Sequence, residues 1–164
     1  MNELFFYRIS HWAYVRKIPL IPQVVKFLMI LIYNSRISAS CRIGKDTKLA
    51  HIGMGGVMIV SNAEIGENCL IGAGCKIIRN FPYKNVPIIG NNVFLGAGCV
   101  ICGPVKIGNN VVVAPNTVVR NSIHDGDIVS GMPARVLGNV KDLDYNILEN
   151  PQYKEGWMGY LKTR

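Results

Sequence analysis

Aliphatic side chains return at every sixth position through the middle of the chain, where Ile89, Leu95, Ile101, Ile107, Val113 and Val119 form one unbroken series. Four residues after most of them stands a small or β-branched residue: Val93, Cys99, Val105, Val111, Thr117. An amphipathic helix repeats near 3.6 and a half-buried strand near 2, so neither produces this spacing. A hexapeptide β-helix repeat does, each unit giving one short strand and one turn. Three units close a triangular rung of about 18 residues whose aliphatic residues point inward and stack. On that count Ile71, Ile89 and Ile107 are expected to lie above one another. Gly90-Asn91-Asn92 and Gly108-Asn109-Asn110 supply turns, where positive φ is tolerated. An ordinary sandwich of short strands is the alternative, and six consecutive matches weigh against it.

The pattern begins at Ile37, with Ile43 and Leu49 following, and resumes as Ile59, Ile65, Ile71 and Ile77. Between Leu49 and Ile59 the step is 10, so either four residues are inserted or two are lost. The slipped segment is His51-Ile52-Gly53-Met54-Gly55-Gly56, which carries the histidine inside the coil proper. Insertions at the turns of repeat proteins are where function tends to be built. Between Ile77 and Ile89 the step is 12, and the intervening Arg79–Pro87, with Phe81, Pro82, Tyr83 and Pro87, predicts an outward bulge that meets substrate or a neighbouring subunit. His124 beside Asp125 falls in a polar turn and reads as a solvated histidine.

Residues 1–35 read as a helical cap, broken at Pro19 and Pro22, with a second helix over Gln23–Tyr33. Residues 36–138 form the coil, and 139–164, with Trp157 and Tyr160, a C-terminal tail. The expected class is therefore an all-β solenoid, a parallel β-helix with an N-terminal helical cap. The cap closes the first rung, or attaches peripherally to a membrane through Trp12, Arg16, Lys17 and Lys26. The apolar stretch Ile18–Tyr33 is interrupted by Pro19, Pro22 and Lys26 and is short for a span. No cleavable leader is convincing at the N-terminus.

Composition narrows the partners. A net charge of +8 over 164 residues favours an anionic one, a phosphate-bearing cofactor or a membrane surface, and with no basic run interleaved with aromatics nucleic acid is set aside. Cys41, Cys69, Cys75 and Cys99 all occupy the small inward position, so packing explains them without metal or disulfide. An odd count of five cysteines argues against a disulfide framework and for a reducing, cytoplasmic setting.

Several segments together carry a resemblance: Leu49-Ala50-His51 followed by Gly55-Gly56-Val57, the run Gly96-Ala97-Gly98, and the ending Gly131-Met132-Pro133-Ala134-Arg135. With the repeat, they resemble the serine acetyltransferase group of left-handed β-helix acyltransferases. The leader from Tyr7 to Leu28 is similar to short members associated with polysaccharide biosynthesis. The resemblance implies a left-handed coil, an exception to the usual crossover hand, assembled as a homotrimer with acetyl-CoA between neighbouring coils. His51 matches the catalytic histidine, Ala97 and Ala114 match positions lining the CoA groove, and Arg135, with Arg120, is placed to meet CoA phosphates. Acyl transfer to a hydroxyl needs a neutral imidazole to take the proton and fixed donors at the carbonyl oxygen, for which the backbone around Gly53, Gly55 and Gly56 is the candidate.

The pattern also departs from the group. Fifteen positions before the histidine, where the group carries an orienting aspartate, stands Arg36, and the acidic residue next to the histidine is replaced by Ala50. The Arg-His pair that grips the serine carboxylate falls on Asn85 and Val86. These differences point to a sugar hydroxyl or amine as acceptor, with L-serine as the alternative and a non-catalytic β-helix scaffold as a third reading.

Overall fold

The computed structural model describes residues 3–50 and 55–143. Two helices, α1 (Glu3–Val15) and α2 (Ile21–Tyr33), precede a parallel β-solenoid. The second helix begins two residues earlier than its pattern suggests, because Pro22 sits in the first turn, where its missing N–H costs nothing.

The coil winds through three sheets. Its first rung is β1 (Arg36–Ile37), β2 (Arg42–Ile43) and β3 (Lys48–Leu49), and its second β4 (Met58–Ile59), β5 (Glu64–Ile65) and β6 (Leu70–Ile71). The third is β7 (Lys76–Ile78), β8 (Ile88–Ile89) and β9 (Phe94–Leu95), and the fourth β10 (Val100–Cys102), β11 (Lys106–Ile107) and β12 (Val112–Val113). Above them lie β13 (Val118–Val119), a bridge from Ile107 to Ile123, and β14 (Asp127–Ser130). Strands β1, β4, β7, β10 and β13 make the first sheet, β2, β5, β8 and β11 the second, and β3, β6, β9, β12 and β14 the third, all paired in parallel. Every strand of the first twelve ends with one inward aliphatic or is followed from it by one outward residue, so a single column of Ile, Leu and Val fills each face of the core.

The expected stack of Ile71, Ile89 and Ile107 is corrected. Ile89 pairs with Ile65 and Ile107 in the second sheet, whereas Ile71 lies in the third and pairs with Leu95. Twelve residues separate Ile77 from Ile89, yet the chain advances only one face, from β7 to β8. Phe81, Pro82 and Tyr83 are exposed there, so six residues bulge out of a corner and add no strand. The slip after Leu49 is resolved in the same way. Leu49 pairs with Ile71 and Ile37 with Ile59, so β3 to β4 is one face step with four residues inserted.

In each rung the strand N–H groups donate to carbonyls of the following rung, as Arg36 N does to Val57 O at 2.8 Å and Lys48 N to Cys69 O at 2.8 Å. Carbonyls of the first-rung residues that alternate with these point to an end of the coil with no strand beneath them. Helix α1 supplies their donors. The Tyr7 hydroxyl donates to Cys41 O at 2.8 Å, the Arg8 guanidinium donates to Ile43 O at 2.9 Å and Gly44 O at 2.7 Å, and His11 Nδ1 lies 2.8 Å from Ala39 O. Burial pushes the Cys41 thiol up to about 12, consistent with a dry contact beneath the cap. Tyr7→Phe deletes one donor while leaving the ring in place, and is expected to cost about 1–2 kcal/mol in denaturant unfolding. An unchanged midpoint would mean that water replaces the hydroxyl.

At the other end the coil departs from a simple winding. After β14 the chain turns at Gly131, at φ 95°, through a cis Met132–Pro133 peptide, and returns as β15 (Arg135–Asn139), antiparallel to β14. A short 3-10 turn, Val140–Asp142, follows. Tail residues Trp157 and Tyr160 lie outside the described residues.

Candidate active site

The corner between the third sheet and the next rung's first sheet gathers most of the residues singled out by sequence. Residues that follow the inward aliphatic of β3, β6, β9, β12 and β14 are Ala50, Gly72, Gly96, Ala114 and Ser130. Their backbones rise in one hydrogen-bonded column: Ala50 N donates to Ile71 O at 2.8 Å, Gly72 N to Leu95 O at 2.7 Å, Gly96 N to Val113 O at 2.8 Å and Ala114 N to Val129 O at 2.9 Å. Ser130 is paired in turn with Arg135. Five ladder steps thus lead from Ala50 to Arg135, about 24 Å at ordinary strand spacing. One residue further along each turn stand Ala73 and Ala97, and Gly98 N donates to Ala73 O at 2.8 Å.

The corner is made of small side chains because the rungs leave no room for others. A Cβ on Gly96 would come to 2.7 Å from the backbone carbon of Ala114, and one on Gly72 to 2.5 Å from Ala97 N. Gly96→Ala is therefore expected to lower stability by about 1–3 kcal/mol through backbone displacement. Thermal unfolding of the variant checks this; an unchanged midpoint would show that the rungs separate freely.

His51 itself lies outside the described residues, as do Ile52, Gly53 and Met54. Its neighbour Ala50 ends the third-sheet ladder, and Gly55 resumes at φ 81° beside Gly74. Gly56 packs so closely on the Asn34 carbonyl that a side chain could not fit, which pins the end of the insertion to the C-terminus of α2. Of the backbone donors expected around the insertion, Gly55 and Gly56 thus stand within the described corner.

Ala97 is exposed, Ala114 half-buried and Arg135 exposed, and all three belong to this corner. Arg120 does not. It follows β13 at the corner between the first and second sheets, the corner that also carries the 79–87 bulge with Asn85 and Val86. Ala73 was not singled out by sequence, although Ile71-Gly72-Ala73-Gly74-Cys75 repeats as Leu95-Gly96-Ala97-Gly98-Cys99, and that internal repeat marks it.

Titratable groups elsewhere have structural roles. Cys75 and Cys99 stack inside the coil with sulfurs 3.3 Å apart, and contact with Cys75 followed by burial pushes the Cys99 thiol up. His124 is nearly fully exposed, with Nδ1 3.8 Å from Asp127, as expected for a solvated turn. Asp125 accepts from Asn109 N at 2.9 Å, and bonds from Asn109 hold its carboxyl below the usual range. Up the same corner, where Asn68, Asn92 and Asn110 are all at positive φ, the Asn68 amide donates to Asn92 Oδ1 at 2.9 Å and the Asn92 amide to Asn110 Oδ1 at 3.1 Å. Among the described residues no group of three His, Cys, Asp or Glu side chains is placed to hold a metal ion.

A groove of about 420 Å³ runs between α2 and the first sheet, lined by Pro22, Gln23, Lys26, Arg36, Ser38 and Ser61 among others. Among the described residues Arg36 and Lys26 are the charged ones that line it, with no carboxylate.

Residues 87–121 match the family model for bacterial transferase hexapeptide (six repeats), and residues 63–78 that for the hexapeptide repeat of succinyl-transferase. The serine acetyltransferase of Synechococcus elongatus is 33% identical over 138 residues, covering 83% of this chain and 56% of the relative. YvoF of Bacillus subtilis, provisionally named an acetyltransferase, is 25% identical over 159 residues, covering 87% of this chain and 92% of the relative. Among solved structures, serine acetyltransferase from Brucella abortus strain S19 in complex with coenzyme A superposes with a TM-score of 0.77 at 24% identity, covering 83% of this chain and 54% of that one. The chain thus spans little more than half the length of the serine acetyltransferases it matches. The structural likeness identifies the solenoid as a left-handed parallel β-helix. Repeat matches and fold agree that the chain winds as a hexapeptide-repeat β-helix, and the relatives it is similar to are named as acetyltransferases.

Proposed function

We propose that the protein transfers an acetyl group from acetyl-CoA to a hydroxyl, with His51 as general base and the small-residue corner as the cofactor groove. The observation that carries this reading is the column from Ala50 to Arg135. It offers an edge free of bulky side chains, Ala97 and Ala114 along it, and a guanidinium at its far end. A pantetheine arm can lie against backbone there while Arg135 meets phosphate oxygens. A solved relative carries coenzyme A on the same fold, which supports the assignment.

The chemistry runs through few groups. The imidazole of His51 takes the acceptor hydroxyl's proton as its oxygen attacks the thioester carbonyl. Backbone N–H groups at the glycine-rich end of the insertion stabilise the oxyanion. The tetrahedral intermediate then breaks its C–S bond, and the departing sulfur takes the proton from the imidazolium, leaving an ester and free CoA. The assembly proposed is a homotrimer, with the groove lying between neighbouring coils. The Cys41, Cys69, Cys75 and Cys99 thiols, packed in the inward columns, suit a reducing, cytoplasmic setting.

Relatives named serine acetyltransferases favour L-serine as acceptor over a sugar. The saccharide reading is retained on one observation: Asn85 and Val86 stand where the serine acetyltransferase group carries the Arg-His pair that grips the serine carboxylate. Release of free thiol from acetyl-CoA, measured with L-serine and with a panel of sugars, tests both. Thiol release that depends on an acceptor supports transfer, and the acceptor that saturates decides between the readings. No release with any acceptor, together with no binding of CoA, assigns the coil to a scaffold.

A further inference from the structure

The N-terminal hairpin is apolar on a side that the coil does not cover. Helix α2 buries Val25 and Met29 inward, yet Leu20, Val24, Phe27 and Leu31 follow one another as an outward stripe running into the helix from its N-cap and are 70, 57, 65 and 70% exposed. Spacings of four, three and four place these four side chains on a single helix face. A helix that is apolar on both sides needs a second apolar medium. Helix α1 repeats the arrangement with Phe5, Ile9 and Trp12, all exposed, followed by Arg16, whose guanidinium lies 4.5 Å from the Trp12 ring.

The charge around the stripe is of one sign. Arg16, Lys17 and Lys26 are exposed on the hairpin, while Glu3, the hairpin's acidic residue, is buried with its carboxylate accepting from Ser35 Oγ at 3.1 Å. Apolar side chains, a tryptophan and basic residues on one short helical element are the chemistry of an interfacial anchor that lies in the plane of an anionic bilayer. A second copy docking stripe to stripe would bring like charge against like charge. At 13 residues α2 is about 20 Å long, less than the hydrocarbon thickness, and among the described residues no helix is long and apolar enough to cross a membrane.

We infer that the α1–α2 hairpin docks this protein on an anionic lipid surface, with Leu20, Val24, Phe27 and Leu31 entering the interface and Arg16, Lys17 and Lys26 meeting the headgroups. The inference does not depend on the acetyl-transfer reading. It is tested by sedimenting the full chain with vesicles of phosphatidylcholine mixed with phosphatidylglycerol, against phosphatidylcholine alone, while light scattering reports the mass of the assembly. The protein is expected to partition to the mixed vesicles, less so as salt is added, and the double variant Phe27→Glu, Leu31→Glu to lose at least about tenfold in partitioning at unchanged mass. Arg16→Glu with Lys17→Glu, at exposed positions, is expected to weaken binding to the mixed vesicles alone. Absence of partitioning by the unaltered protein, or equal partitioning by both variants, overturns the inference. A change of assembly mass in the Phe27→Glu, Leu31→Glu protein also overturns it and assigns the stripe to contact between copies.

Discussion

His51→Ala is expected to lower acceptor-dependent release of CoA by about a hundredfold or more, with little change in stability. An alcohol is almost wholly protonated at neutral pH, and its attack on a thioester needs a base positioned at the oxygen. An imidazole ordinarily titrates near pH 6.5, so it is a base at pH 7 without special tuning. The rate should accordingly rise with pH as the ring loses its proton, and that rise should vanish in the variant. If the histidine served only the turn, the variant would lose stability and keep its turnover per folded molecule.

Ala97→Trp is expected to weaken CoA binding by at least about tenfold while leaving the coil intact. The Ala97 side chain is exposed on the corner, so a larger group there extends outward and disturbs no inward column. It would occupy the edge along which the cofactor arm is proposed to lie, between Ala73 one rung below and Pro115 one rung above. The same substitution at His124, exposed in the turn between the second and third sheets, should leave binding unchanged. Equal binding by both proteins would remove the cofactor from this groove.

The winding was legible because each inward aliphatic must return to the same interior, and a column of Ile, Leu and Val tolerates little else. The number of faces crossed in a gap was not. A step of 12 between Ile77 and Ile89 fits two strands or one strand and a bulge, and only the inability of Phe81-Pro82-Tyr83 to add a rung decides for the bulge. The step of 10 before Ile59 was ambiguous for the same reason. Tyr7, Arg8 and His11 as end caps were beyond reach, since the direction of the orphan carbonyls follows from the winding and not from any motif. Ala97, Ala114 and Arg135 were singled out through resemblance, and the ladder brings them to one edge. Arg120 shows the limit of that route: it stands one residue past the inward Val119, and the residue after an inward position does not by itself tell which corner the chain turns.

Titration of the unaltered protein with CoA, followed by calorimetry, tests most directly whether this corner is a cofactor groove. Saturable binding that Ala97→Trp weakens and Arg135→Ala weakens further is the predicted result. No saturable heat from the unaltered protein, or heat indifferent to both substitutions, would contradict it.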